Sequence, residues 1–64
     1  MKNRSGLTVV ERISKDIEIA ETAEGEHRKL SAYMALAAAE FAIDFELITH
    51  KEWGELTRRA FDVI

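Results

Sequence analysis

Glu24-Gly25-Glu26-His27 matches the spacing Glu-x-x-His. On a helix that spacing sets a carboxylate and an imidazole on one face, the arrangement that bundle proteins use to hold pairs of iron or manganese ions. The match is literal but poor. Gly25 falls inside it, where a helix is expected to break, and the chain carries one copy where such sites need two. A second copy would have to come from another chain, with Glu40 or Asp44 as bridging carboxylates. A polar helix start, where the dipole favours acids, accounts for the same residues. No metal and no cofactor is expected.

Other residues of chemical interest are sparser. Glu40 and Asp44 are like charges four apart inside an apolar stretch, which is mildly destabilising on a helix. They line a wet strip of that helix or face a cationic group, with Arg28, Lys29, Arg58 and Arg59 as candidates in the chain and Tyr33 as a possible donor to Glu40. Across an interface such a pair would set register. His50 has no acid or nucleophile partner in view, and Ser5, Ser14 and Ser31 lack a nucleophile-elbow context. There is no glycine-rich phosphate loop. No catalytic set can be assembled, and the expectation is a protein that is not an enzyme.

The elements that carry these residues read as three helices. Thr8 and Glu11 form a capping box. Behind it Val10, Ile13, Ile17 and Ala20 make one stripe, widened by Val9, and Glu11–Lys15 and Arg12–Asp16 stand at i, i+4. This predicts a first helix over 8–24, stopped by Gly25. The alternation in IEIAET is the rival signal for strand over 17–22. Ile19 does not fit the helical stripe and reads as a singly exposed apolar residue.

The second helix is expected over 26–48. Leu30, Met34, Phe41, Phe45 and Ile48, with Ala37 or Ala38, form its main stripe, which reads as core. A second stripe, Ala32, Leu36, Ala39, Ile43 and Leu47, lies on another side. Ala35 and Ala42 keep the remaining side small. A helix apolar nearly all round is central and covered on more than one side. Thr49 and Glu52 form a second capping box, and Ile48 with Trp53 a hydrophobic staple, so a sharp corner leads into a third helix over 50–63. Trp53, Leu56, Ala60 and Ile64 point inward there. Gly54 costs that helix about 1 kcal/mol against alanine. It marks either a close helix approach or a tolerated defect.

The fold class is therefore all-α, with a flexible tail over 1–7 and one helical domain over 8–64. A chain this short buries only about 60% of its unfolded surface. It has no cysteine for a disulfide, which fits a reducing, cytoplasmic setting, and no apolar leader or span is evident. Self-association is the staple left open. The second stripe of the central helix, with Glu40 and Asp44 dividing it from the core stripe, is the candidate interface, and the simplest partner is a second copy in a homodimer or higher bundle. Closure into a compact monomer is the competing outcome.

The function expected is a small interaction or regulatory module of a bacterial or phage type. A helix-turn-helix DNA-binding regulator using His50, Lys51, Arg58 and Arg59, aided by Lys2 and Arg4, is the alternative. The net charge of −3 and the acids Glu52, Glu55 and Asp62 on the same helix weigh against it. An acidic inhibitor of a basic site, built on the five carboxylates from Asp16 to Glu26, is a third.

Overall fold

The computed structural model describes residues 8–64, and the expected tail over 1–7 lies outside the described residues. Three helices follow in order: α1 (Val9–Thr22), α2 (Glu26–Asp44) and α3 (His50–Val63). Residues 17–22 are helical, not strand. Among the described residues no helix is long and apolar enough to cross a membrane.

Both expected capping boxes form. Thr8 N–H donates to Glu11 Oε1 at 3.2 Å and Glu11 N–H to Thr8 Oγ1 at 3.1 Å. The same exchange links Thr49 and Glu52 at 2.8 and 3.1 Å. Each box satisfies two backbone donors at a helix start that would otherwise lack partners. Among the described residues Glu11 is engaged in its box and forms no ion pair with Lys15, whereas Arg12 and Asp16 stand 3.9 Å apart.

Two helix boundaries differ from expectation. α1 ends at Thr22, before Gly25, where the Thr22 hydroxyl donates back to the carbonyls of Glu18 and Ile19 and Ala23 turns extended. Gly25 instead opens α2, with φ +62° and ψ −139°, a backbone region that side chains disfavour. α2 ends at Asp44 rather than 48. Glu46 N–H reaches Ile43 O at 3.1 Å and Leu47 N–H reaches Ala42 O at 2.8 Å, the paired bonds of a Schellman motif. That motif needs a left-handed residue, and Glu46 takes it at φ +58°.

The helices pack in two layers. α2 lies against both α1 and α3, which also meet each other. The principal extents are 33 × 24 × 14 Å, and the shortest equals what two layers need, about 13–15 Å for axes 8–10 Å apart. One end of the bundle holds Ala20, Ala32 and Val63, and the larger cluster holds Ile13, Ile17, Ala35, Ala39, Ala42, Ile48, Leu56 and Ala60. Ile48 is buried and Trp53 packs on the same cluster, as the staple requires. Arg28 of α2 ties the three helices at one end. Its Nε donates to Val63 O at 3.2 Å and its Nη1 to Glu21 O at 3.1 Å, covering the C-terminal carbonyls of α3 and α1.

Two expected outcomes test these backbone assignments. Gly25→Ala has open space for its Cβ, so its cost of about 1–3 kcal/mol comes from the backbone alone. Glu46→Gly relieves the left-handed strain of about 1–2 kcal/mol, less the extra chain entropy of glycine, for a net gain below about 1 kcal/mol. Urea denaturation of the two variants measures both signs. Separately, the Thr8 backbone N–H, and then its hydroxyl, hold the Glu11 carboxyl below its ordinary value. Its stabilising contribution is complete above the ordinary carboxylate range and is lost as pH falls through the lowered folded value. Glu11→Gln should therefore flatten the acid limb of thermal stability relative to the parent chain, read by helicity from pH 6 to 2.

Candidate functional site

The metal-like motif is not assembled. Glu24 sits in the link between helices, Gly25 breaks the backbone after it, and Glu24, Glu26 and His27 are all exposed. The spacing argument required one helix through all four positions, and the helix begins only at the third. Among the described residues no three His, Cys, Asp or Glu side chains are placed to hold a metal ion.

The two stripes of α2 exchange roles relative to the sequence expectation. Leu30, Met34, Phe41 and Phe45, assigned to the core, are 57%, 65%, 59% and 64% exposed. Ala32 and Ala39, assigned to an interface, are 0% and 1% exposed and lie inside the chain's own core with Ala35 and Ala42. Leu36 and Ile43 are half-buried shoulders of that core. Leu47 lies beyond the helix end and is exposed. The remaining core assignments divide cleanly: Ile13, Ile17, Ile48, Leu56 and Ala60 are buried, and Val10 and Trp53 are half-buried against them. The Trp53 Nε1 is buried without a hydrogen-bond partner. Ile64, expected inward, is exposed, and Val63 is buried in its place.

Volume explains the exchange. α1 and α3 project Ile13, Ile17 and Leu56 toward α2. Side chains of that size fit against a seam of alanines at 32, 35, 39 and 42, which lets the axes approach closely. The bulky stripe in the same place would hold the helices apart. The alanine spacing of three, four and three is itself a one-sided helical pattern, and it was the available signal for the inward face.

The outward face of α2 is consequently apolar. Leu30, Tyr33, Met34, Phe41 and Phe45 are each more than half exposed. Phe41 and Phe45 shield each other in part, with ring centroids 4.5 Å apart and planes tilted by 31°. Ile19 of α1 borders Met34 across a shallow hollow with Arg12, Asp16 and Ser31, so it extends the patch rather than standing alone. Val9, Ile13 and Leu47 border Phe41 in the same way.

Acidic charge lines one edge of this face. Glu40 and Asp44 are exposed, and among the described residues neither forms an ion pair. Two of the expected cations are engaged elsewhere: Arg28 on helix-end carbonyls, and Arg59 on α1, donating to Ser14 Oγ at 2.7 Å and standing 3.7 Å from Glu21. Arg59 is thus half-buried against α1, while His50, Lys51 and Arg58 are exposed. Of the five carboxylates from Asp16 to Glu26, Asp16 and Glu21 have cationic neighbours within 4 Å. Gly54 has nothing within 4 Å of a Cβ position, so it marks no close helix approach.

The exchange of faces has a measurable consequence. Ala39→Leu should overpack the seam and cost about 1–3 kcal/mol, whereas Phe41→Ser should change the stability of the dilute monomer by about 0.5 kcal/mol. Denaturant titration of the two variants gives the order; the sequence expectation gives the reverse order. No family model matches this chain, and no curated protein or solved structure matches it either.

Proposed function

We propose that this chain is a non-enzymatic helical module that self-associates through the outer face of α2 and works by protein–protein interaction, as a regulatory or accessory factor of a bacterial or phage type. One observation carries the reading. Five large apolar side chains stand more than half exposed along a single helix face, in a chain with few large side chains buried. A contiguous apolar patch of this kind on a small protein marks an interaction surface. Covering it gains roughly 1–2 kcal/mol for each large side chain, since full burial of such a side chain is worth about 1.5–3 kcal/mol. The thin internal core supplies the motive, because short chains without disulfide or metal commonly gain stability by association. The proposed setting is the cytoplasm, in keeping with a chain that has no cysteine.

Light scattering at micromolar concentration tests the reading. The expected mass is at least twice the 7.3 kDa of one chain, falling to that of one chain for Met34→Glu with helicity retained. A parent chain that stays at one-chain mass, with a melting temperature independent of concentration, overturns it.

A further inference from the structure

We infer that the outer face of α2 takes a second copy of this chain in antiparallel register, about a two-fold axis passing between Ala37 and Ala38. The inference rests on the self-association proposed above and names its geometry.

The stripe is its own complement when reversed. Leu30, Met34, Phe41 and Phe45 are spaced symmetrically about the midpoint between Ala37 and Ala38. The axis sets Leu30 against Phe45 and Met34 against Phe41 of the other copy, and brings the alanines together at the middle. Small residues at the crossing and large ones toward the ends let two helix axes approach closely and still fill the space beside them.

Charge selects the direction. Lys29 and Asp44 are both exposed, on one flank of the stripe and near opposite ends of α2. They are about 22 Å apart along the axis at ~1.5 Å per residue, so they do not meet within one chain. Antiparallel pairing brings Lys29 of each copy beside Asp44 of the other, at the rim. It also brings the Tyr33 hydroxyl toward Glu40 and Asp44 of the other copy, acids that lack an ion pair among the described residues. Parallel pairing sets this flank against the opposite flank of the other copy, so Lys29 and Asp44 do not meet there.

Cross-linking reads the register directly, because the chain has no cysteine of its own. Met34→Cys mixed with Phe41→Cys should form a mixed disulfide under mild oxidation. Met34→Cys alone should not, since its two copies lie about 10 Å apart along the axis at ~1.5 Å per residue, beyond disulfide reach. A charge cycle in otherwise unaltered chains is the second measurement. Lys29→Glu and Asp44→Lys should each weaken the dimer by about threefold, as exposed pairs do, and the double variant should recover it. Cross-linking of Met34→Cys alone, or a parent dimer that forms neither the mixed disulfide nor a coupled charge cycle, overturns the antiparallel register while leaving self-association standing. A parent chain at one-chain mass overturns both.

Discussion

The alanine seam of α2 is the constraint on which the rest of the structure depends. Ala32, Ala35, Ala39 and Ala42 are all but inaccessible, and they form the floor on which α1 and α3 lie. Small side chains there set a short distance between helix axes, and Ile13, Ile17 and Leu56 pack into the space so formed. The same choice fixes what lies outside. α2 carries two apolar faces, and once the alanine face is turned inward its larger side chains have no place within the chain. Its exposed patch is therefore a geometric consequence of how its core closes.

A core built on alanines gives little burial per residue, and Ile17 is the one large side chain fully inaccessible among the described residues. Polar contacts at the helix ends compensate locally. Two capping boxes fix where α1 and α3 begin, and the Schellman bonds at Ala42 and Ile43 fix where α2 ends. Arg28 gathers the last carbonyls of the other two helices, and Arg59 binds α3 to α1. These contacts lie at helix ends or on the α1–α3 side, so the outer face of α2 keeps its apolar character. A helix held from behind has its backbone fixed before any contact is made on its outer face, so the ordering cost left there is that of the side chains.

Among the described residues the backbone takes left-handed turns at the two ends of that helix. Gly25 and Glu46 both adopt positive φ, one just before α2 and the other two residues after it. Glycine accommodates its position at no steric cost, whereas Glu46 does so against its own side chain. The turns thus set both the length of α2 and the direction of its neighbours, and with them how much of the outer stripe is presented. Phe45 is the last residue of that stripe because the left-handed turn follows at once.

The sequence by itself determined the helices, the two capped starts, the staple of Ile48 on Trp53 and the existence of two apolar faces on the central helix. These are local properties: a capping box needs four consecutive residues, and a stripe needs only helical periodicity. It also located Ile13, Ile17, Leu56 and Ala60 in the core, since α1 and α3 each have a single dominant apolar face. What it left open was which face of α2 turns inward, and the larger side chains were the wrong choice. Hydrophobicity favours burying Leu30, Met34, Phe41 and Phe45, and the opposing signal, the three-four-three spacing of the alanines, is one that helix propensity alone would also explain. The tertiary structure decided otherwise because packing depends on the volumes of both partners. Facing the isoleucines and Leu56 of its neighbours, α2 could approach only on alanine, and that left the bulky stripe outside.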